Sequence, residues 1–516
     1  MSKSCRWICL PTELIYLILE ELDFHSLLRC TEVCRGMNSL LKDSLLLELA
    51  AKLAAAGMTD GSSATYTTAV RLDMLKAHQD AWSHLRWSQE PLSYSVSSVR
   101  LWELIGGVLG LYSYSPEDTY LKLVRFPSIH RGIAHREWQI PLDFKVGDFS
   151  MDPSADLLVA VTRVDLLNRA TSFTVHFLSL ETGRPHPKAR QPEIRVDTKS
   201  MGDAWSYDIR ILDDHMAIMF SPEFDSDDTE LTIWNWETGT MVKVKPFSDD
   251  LKSKADEGSV FHSTFRSCVS NESEDTVLAE IVLIDIHDEE VGDGYSLHLP
   301  SPPLEFDIYA LDIVSESPPT SRDWHSESNV PFATSLDDRL IVINYRLLNQ
   351  QDEDVNYALF VPLSVLIYHF RHGRSKEEDF LQWNQWGPQN TRLLPINFSD
   401  VWVCYVHGMM ASVYDAGTET FRLFDFTKLG VRYDLEKGER RPETVYLTEG
   451  TVVEKVFGKE PVCSSMPGRI RTGKIPLKSV EAVMLVEDAL VFVTRHWFMG
   501  LRSLRLEARI FKLHCI

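Results

Sequence analysis

Two apolar runs, HMAIMFS (His215–Ser221) and ELTIWNWETGTMV (Glu230–Val242), decide the fold class of this chain. Both have the composition of β-strands, the acidic segment 223–229 separates them, and the second run ends in the turn residues ETG. Strand runs that are joined by polar turns, with no helical pattern between them, favour antiparallel pairing. We therefore predict an antiparallel sheet around these residues.

Similar phrases recur along the C-terminal part of the chain. SFTVHFLSLETGRP (Ser172–Pro185) repeats the aromatic-rich strand with its ETG turn, and YDAGTETFR (Tyr414–Arg422) carries a DAG turn. Repeated antiparallel units without intervening helices are typical of a β-propeller, which leaves only short, protected sheet edges. About seven units begin near residues 100, 145, 205, 262, 330, 398 and 478, at wider spacing than regular WD repeats. We predict an irregular, WD-repeat-like β-propeller of about seven blades.

The residues before this region have helical periodicity, with apolar side chains at spacings of three and four. The first stripe consists of Leu14, Leu17, Ile18 and Leu22, and a later one of Leu72, Leu75, Gln79 and Trp82. Between them, Ser44 predicts a helix N-cap, Gly57 predicts a left-handed helix stop, and residues 59–68 predict a loop. The whole chain is therefore predicted to be an α+β multidomain protein, all-α first and all-β afterwards.

Charge and hydropathy exclude several classes of protein. The 516 residues include 52 Lys plus Arg and 75 Asp plus Glu, and the net charge of -23 repels phosphate backbones and anionic membrane surfaces. The apolar run Leu14–Leu19 is too short to span a bilayer, and Glu13 and Glu20 flank it, unlike a secretory signal peptide. Eight scattered cysteines form no disulfide framework. We expect an intracellular protein, in the cytoplasm, the nucleus or both, that binds neither nucleic acid nor membrane.

Motifs for catalysis or cofactor binding are absent or incomplete. GRIRTGKIP (Gly468–Pro476) resembles a phosphate loop, but Ile475 stands where a Ser or Thr would hold magnesium, so we expect a basic surface loop. The possible zinc ligands are Cys5, Cys9, Cys30 and Cys34. Zinc is disfavoured because two of them fall in or beside predicted helices. We predict no catalytic residue, no cofactor and no metal site, although a propeller can build an enzyme site from residues far apart in sequence.

The N-terminal segment resembles a known family. The order and spacing of Leu10-Pro11-x-Glu13-Leu14, then Ile18, Leu22, Leu27-Leu28 and Val33-Cys34-Arg35, is similar to the F-box motif. The family commonly has an aromatic residue two positions after this Arg, and here that residue is Met37. The resemblance implies a three-helix module that docks on the SKP-family adaptor of SCF ubiquitin ligases, while the rest of the chain recognises a substrate.

The resemblance also implies which residues contact the adaptor. They are Leu10, Pro11, Leu14, Ile18, Leu22, Leu27 and Val33. Leu17 and Leu28 are expected to face inward. The independent physical reason is that about forty residues of helix cannot bury so much apolar surface by themselves. The expected domains are an F-box at 8–50, a helical linker at 51–91 and a substrate-recognition propeller at 92–516.

These expectations combine into one hypothesis and two alternatives. The hypothesis is a non-catalytic substrate receptor that joins a cullin-RING ligase through the adaptor and presents an unknown protein substrate to it. The alternatives are an interaction scaffold that works with the adaptor outside a ligase, and a propeller enzyme with an unrecognised site. A receptor for phosphorylated substrates would need an Arg cluster at one mouth of the propeller, for which Arg440, Arg441 and the residues 469–474 are candidates by composition.

Overall fold

A computed structural model describes residues 10–20, 22, 26, 29–30, 33–61, 65–87, 92–97, 99–114, 119–162, 172–197, 205–222, 229–247, 264–273, 276–284, 295–303, 305–316, 330–336, 339–351, 353–373, 380–398, 404–437, 443–458, 460–474, 477, 479–499 and 505–515. These residues form an N-terminal group of helices and a seven-bladed β-propeller. The predicted fold class is confirmed.

Four helices before the propeller have bounds within the described residues, namely α1 (Thr12–Glu20), α2 (Arg35–Asp43), α3 (Leu45–Ala56) and α4 (Thr68–His84). Both predicted ends of α3 are confirmed: the Ser44 side chain accepts a hydrogen bond from the Leu47 amide, and Gly57 is left-handed with φ 66°. The boundary predicted at residue 50 falls inside this helix. The predicted loop at 59–68 is wrong at its start, because a short strand, β1 (Met58–Asp60), occupies it.

The propeller blades are sheets of four or five strands. Blade 1 contains β3 (Val99–Ile105), β4 (Val108–Tyr114), β5 (Thr119–Arg125) and β6 (Arg136–Pro141). Blade 2 contains β7 (Val146–Asp152), β8 (Leu157–Thr162), β9 (Ser172–Ser179) and β10 (Glu193–Asp197). Blade 3 contains β11 (Trp205–Leu212), β12 (His215–Pro222), β13 (Thr229–Asn235) and β14 (Thr240–Phe247), so the opening pair of runs is a hairpin of this blade.

The remaining blades are less regular. Blade 4 contains β15 (Thr264–Ser273), β16 (Thr276–Ile284), β17 (Tyr295–His298) and β22 (Phe380–Leu381). Blade 5 contains β18 (Asp307–Ser315), β20 (Leu340–Leu348), β21 (Asp354–Pro362) and β23 (Arg392–Leu394). Blade 6 contains β24 (Val406–His407), β25 (Met410–Asp415), β26 (Thr420–Asp425), β30 (Gly468–Lys474) and β27 (Thr444–Leu447). Blade 7 contains β31 (Val480–Val486), β32 (Ala489–Met499), β33 (Arg505–Cys515) and β2 (Leu92–Ser97).

Blade 7 closes the ring by joining the two ends of the propeller region. Its outermost strand, β2, comes before blade 1 in the chain and pairs antiparallel with β33, from Leu92 opposite Leu513 to Ser97 opposite Ala508. Opening the ring would therefore require the backbone pairing between these two strands to break. Closure of this kind removes the exposed edges that a row of separate sheets would have.

The core lies between neighbouring blades. Buried side chains from the second strands of four blades belong to one hydrophobic cluster: Leu109, Val342, Val413 and Val491. Full burial of an aliphatic or aromatic side chain contributes about 1.5–3 kcal/mol. Contact between blades 1, 5, 6 and 7 therefore stabilises the ring beyond the hydrogen bonding inside each sheet.

The structure corrects three expectations about the propeller. The fifth unit begins at Asp307 rather than near 330, because the run at 330 forms β19 (Phe332–Thr334), which pairs with β1. Helices occur where no helical pattern was expected, namely α5 (Leu363–Gly373), α6 (Trp383–Asn390) and α7 (Lys428–Lys437). GRIRTGKIP is not a surface loop, because most of it is strand β30. The hairpin β28 (Thr451–Val453) and β29 (Val462–Ser464) completes the strands.

The closing strand generates a first prediction. Tyr94 of β2 is buried in the core, and its hydroxyl lies 2.7 Å from Nε2 of His135 in blade 1. We expect Tyr94→Ala to lower the free energy of unfolding by about 3–5 kcal/mol, because it leaves a cavity, and Tyr94→Phe to lower it by about 1 kcal/mol. Guanidinium unfolding followed by tryptophan fluorescence measures both. Tyr368→Ala, at an exposed tyrosine, is the control. If Tyr94→Ala and Tyr94→Phe lowered the free energy of unfolding equally, packing of the Tyr94 ring would not be what stabilises the closed ring of blades.

Candidate functional site

The two faces of helix α1 have different surroundings. Ile15 and Leu19 are buried against Leu47 of α3, which fixes the helix to its own module. Leu14, Leu17 and Ile18 point away from that cluster and are 46%, 58% and 37% exposed. Exposing three large apolar side chains to water on one helix face is unfavourable in free energy for the isolated chain. Such a face is typical of a surface that another protein covers.

This face continues into a groove of about 540 Å³ between α1 and α2. Its wall is mostly apolar, with Leu10 and Ile18 on one side and Val33, Met37 and Leu40 on the other. Leu10 and Val33 are themselves exposed. We call the exposed face of α1 together with this groove the N-terminal apolar surface.

The structure places most of the predicted adaptor-contacting residues on the N-terminal apolar surface. Leu10, Pro11, Leu14, Ile18 and Val33 are exposed. Leu22 is half-buried against the inner cluster and also lines the groove. Leu27 and Leu28 lie outside the described residues.

Two further residues of this surface are Leu17 and Met37. Leu17 was predicted to face inward and is exposed, so that prediction is wrong. The spacing of Leu14, Leu17 and Ile18 places all three on one helical face. This spacing is the sequence signal that predicts an exposed Leu17. Met37 is half-buried against the inner cluster, and its amide donates to the Cys34 sulfur at 3.4 Å, so Cys34 caps helix α2.

A backbone connection joins the helical module to the propeller. Strand β1 pairs antiparallel with β19, from Met58 opposite Thr334 to Asp60 opposite Phe332. The pairing continues on both sides, because the Gly61 amide donates to the Pro331 carbonyl and the Ser335 amide to the Gly57 carbonyl. A Cβ at residue 61 would lie 2.1 Å from the Val330 carbonyl oxygen, so glycine is required for this close approach.

Helix α4 packs against blades 6 and 7 beside this connection. Trp82 is buried in a cluster with Phe421 of blade 6 and Phe492 of blade 7. Its indole Nε1 donates to the Glu487 carbonyl at 3.0 Å, in the turn between the first two strands of blade 7. Phe332 packs in a separate cluster with Leu72 and Leu75 of α4 and with α3. The module is therefore attached through apolar packing as well as through the backbone.

A buried ion cluster lies at the centre of this attachment. Arg131, 3% exposed, lies in the loop after β5, and its Nη1 contacts Glu487 Oε2 at 2.6 Å and Asp488 Oδ2 at 2.7 Å. Its Nε donates to the Phe332 carbonyl at 3.2 Å. Asp488 also lies 3.2 Å from Nε2 of His78 on helix α4. The cluster thus joins blade 1, blade 7, strand β19 and the helical module.

The protonation states of this cluster follow from opposing effects. Burial favours the neutral forms, raising the pKa of Asp488 and lowering that of Arg131. The opposite charges outweigh burial, so the pKa of Asp488 is lowered overall and that of Arg131 is raised. Both groups therefore stay ionised at neutral pH.

A second ion cluster accounts for the segment predicted as a basic loop. Arg469 and Arg471 on β30 contact Asp425 of β26 at 2.7 Å and 3.0 Å, and Arg469 also contacts Asp434 of α7. Burial raises the pKa of Asp425, but the two arginines outweigh it and lower that pKa well below its usual range. Arg471 is therefore a buried cation and Arg469 a half-buried one, and their pairing with aspartates places neither in an exposed basic loop. Arg440 and Arg441 lie outside the described residues.

A third buried pair connects blades 5 and 6. Nδ1 of His407 lies 2.8 Å from Glu316 Oε1, and the Gly408 amide donates to the other Glu316 oxygen at 2.9 Å. Burial alone raises the pKa of Glu316, but His407 and Arg339 outweigh it and lower it to about 2. Burial lowers the pKa of His407, but Glu316 outweighs burial and raises it.

The described residues contain no group of three or more His, Cys, Asp or Glu side chains that could hold a metal ion. Cys5 and Cys9 lie outside the described residues. Among the described residues, every helix is too short or too polar to cross a lipid bilayer. The three ion clusters join elements that are distant in the chain, and the N-terminal apolar surface is the candidate functional site.

The His407–Glu316 pair generates a pH prediction. Glu316 contributes stability that is lost as pH falls from its ordinary pKa of 4.5 towards about 2. His407 contributes stability that is present below its ordinary pKa of 6.5 and is lost as pH rises through its raised value. We expect His407→Gln to destabilise the protein more at pH ~5.5 than at pH ~8.5, measured by thermal unfolding. His84→Gln, at an exposed histidine of α4, is the control. If His407→Gln destabilised the protein equally at both pH values, the charged His407–Glu316 pair would not contribute to stability.

The cluster around Arg131 generates a second prediction. Asp488→Asn keeps the shape of the side chain but removes a charge from beside a buried guanidinium, so we expect the free energy of unfolding to fall by about 3 kcal/mol. Asp80→Asn is the matched control, because its partner Arg86 has a side chain that is 63% exposed, and we expect a loss below about 1 kcal/mol. Urea unfolding measures both variants. Similar small losses would show that the Arg131 cluster is not important for stability.

Comparison with known proteins finds a family match for the N-terminal segment. Residues 7–47 match the F-box-like family model. No curated protein matches the sequence significantly. The WD40 domain of Toxoplasma gondii coronin is similar in structure, with 9% identity, coverage of 83% of this chain and 87% of that chain, and a TM-score of 0.37.

Two other solved structures are similar at the same distant level. An uncharacterized protein from Listeria monocytogenes has 10% identity, coverage of 78% of this chain and 92% of that chain, and a TM-score of 0.30. Cobalt-substituted apocarotenoid oxygenase from Synechocystis has 8% identity, coverage of 53% and 59%, and a TM-score of 0.28. Likenesses this distant carry no argument about function. With an F-box-like module at residues 7–47 and a seven-bladed β-propeller after it, the chain has the organisation of an F-box protein with a propeller C-terminal region.

Proposed function

We propose that this chain is a non-catalytic substrate receptor of an SCF-type ubiquitin ligase. The observation that carries the proposal is the exposed apolar face of α1, which coincides with the F-box-like match at residues 7–47. The N-terminal apolar surface binds an SKP-family adaptor, and through it a cullin-RING ligase. The propeller binds a protein substrate. Such a receptor acts inside the cell, in the cytoplasm, the nucleus or both.

Burial of apolar surface supplies the adaptor affinity. Leu14, Leu17 and Ile18 expose side chains that lose their contact with water when a partner covers them. Leu10, Pro11 and Val33 extend the same surface, and Leu22 lines the groove below it. Leu27 belongs to this proposed set on the sequence motif alone. Each fully buried side chain contributes about 1.5–3 kcal/mol before the cost of association is subtracted.

The attachment of the helical module to the propeller supports the proposal that the chain presents a bound substrate to the ligase. Strand pairing, Trp82 and the Arg131 cluster hold the module on the propeller face formed by turns such as Glu487–Asp488. A bound substrate would therefore keep a constant position relative to the adaptor. This raises the effective concentration of a substrate lysine near the activated ubiquitin, which is how a receptor without catalytic residues accelerates transfer. The net charge of -23 disfavours nucleic acid as a competing partner.

Adaptor binding by paired variants tests the proposal. We expect Leu14→Ala combined with Ile18→Ala to weaken binding of a purified SKP-family adaptor by about 2–4 kcal/mol, or roughly 30- to 1,000-fold, because both side chains lie on the proposed contact surface. Isothermal titration calorimetry measures the change. Val70→Ala is the matched control, since Val70 is 42% exposed on α4 outside the F-box-like match. Unchanged affinity in the double variant would overturn the proposal.

Purification from cells separates the ligase receptor from a scaffold. We expect the wild-type chain to bring down both adaptor and cullin, and the double variant to bring down neither. A complex that contains adaptor but no cullin would favour the scaffold.

A further inference from the structure

A cavity with several charged residues in its wall lies between the helical module and blade 6, away from the N-terminal apolar surface. Its volume is about 230 Å³, and its wall includes Lys52 of α3, Gln79 of α4, Tyr433 of α7 and Arg471 of β30. Lys76 and Asp80, also in the wall, have side chains that are 43% and 47% exposed. The cavity is therefore open to solvent on the side of α4.

Arg471 presents an unused donor in this wall. The residue is 4% exposed, and its Nη2 donates to Asp425, the carboxylate that Arg469 also contacts. Its Nη1 is buried and has no hydrogen-bond partner among the described residues. The pKa of Arg471 is lowered to about 10, because burial and the neighbouring Arg469 outweigh the attraction of Asp425. A further hydrogen-bond acceptor would stabilise a buried guanidinium that has an unpaired donor.

Lys52 is a second cation without its own carboxylate. Its Nζ donates to the Tyr433 hydroxyl at 2.9 Å and lies 4.4 Å from the centroid of the Tyr433 ring. None of the described carboxylates lies within ion-pair distance of this nitrogen. Tyrosine does not neutralise the ammonium charge. Lys52 therefore adds positive potential to the cavity from the side of α3.

The acidic residues of the wall are already paired with arginines. The pairs are Asp425 with Arg469 and Arg471, Asp434 with Arg469, Glu487 with Arg131, and Asp80 with Arg86. Three further titratable groups of the wall contact acids: Lys76 contacts Glu48, His78 contacts Asp488, and His407 contacts Glu316. Among the described wall residues, Lys52 thus keeps a positive charge that no carboxylate neutralises, whereas Glu487 shares the charge of Arg131 with Asp488.

We propose that this cavity binds a phosphate-type oxyanion, either inorganic phosphate or the phosphate group of a small phosphomonoester. Nη1 of Arg471 and Nζ of Lys52 would donate to its oxygens, since guanidinium and ammonium groups form charge-assisted hydrogen bonds with phosphate. The anion would contact both the helical module and the propeller and so stabilise their attachment. This binding does not depend on the proposed adaptor function.

Phosphate binding to the full chain tests the proposal. We expect inorganic phosphate to raise the unfolding temperature more than chloride does at equal ionic strength, because it binds only the folded state. In titration calorimetry, we expect Lys52→Gln to weaken phosphate binding at least about tenfold, since it removes a charge-assisted hydrogen bond. Lys188→Gln is the matched control, because the Lys188 side chain is 66% exposed outside the cavity. The same titration with glycerol 2-phosphate distinguishes the two ligands. Tighter binding of glycerol 2-phosphate indicates a phosphomonoester site, and tighter binding of inorganic phosphate indicates a site for the free ion.

A second variant distinguishes a loss of phosphate binding from a loss of folding. Arg471→Lys keeps a cation beside Asp425 but removes the donor that Nη1 provides, so phosphate affinity falls while the chain stays folded in the absence of phosphate. Stabilisation by phosphate that does not exceed that by chloride would overturn the proposal. Equal phosphate affinity in the wild type and Lys52→Gln would also overturn it, because the anion would then bind elsewhere.

Discussion

The guanidinium of Arg131 connects segments that are far apart in the chain. It contacts Glu487 and Asp488 of blade 7 and the Phe332 carbonyl of strand β19, while Asp488 also contacts His78 of helix α4. Exposed ion pairs contribute about 0–1 kcal/mol, whereas removing one member of a buried pair costs about 3–5 kcal/mol. The loss of any one of these groups would therefore weaken ring closure and the attachment of the helical module together.

This attachment explains why the two faces of the N-terminal module have different surroundings. The propeller covers the α3 and α4 side, where Leu72, Leu75 and Trp82 are buried. On α1, Ile15 and Leu19 are covered by the module itself, whereas Leu14 and Ile18 remain exposed. The module thus uses one side for the propeller and leaves another for a partner. In the proposed receptor, one continuous structure links adaptor and substrate.

The sequence predicted the repeating and local features well. Hairpin composition and the ETG turns predicted about seven antiparallel units, and Ser44 and Gly57 predicted both ends of α3. These features depend on neighbours within a few residues, so the sequence records them directly. The fifth unit was misplaced because the run at Phe332 has strand composition but pairs with the helical module instead of a blade. Composition identifies a strand without identifying its partner.

The sequence by itself determined the strand repeats, the helix caps and the apolar stripe of α1, because each of these patterns is set by residues close together in the chain. Tertiary structure decided whether charged residues are exposed. Arg469 and Arg471 looked like part of a surface loop, yet Arg471 is buried and Arg469 is half-buried, because Asp425 and Asp434 neutralise them from other elements. Arg131 and Asp488 are 357 residues apart, and neither has a local signal of its role. A buried charge depends on a counter-charge that only the folded chain brings near it.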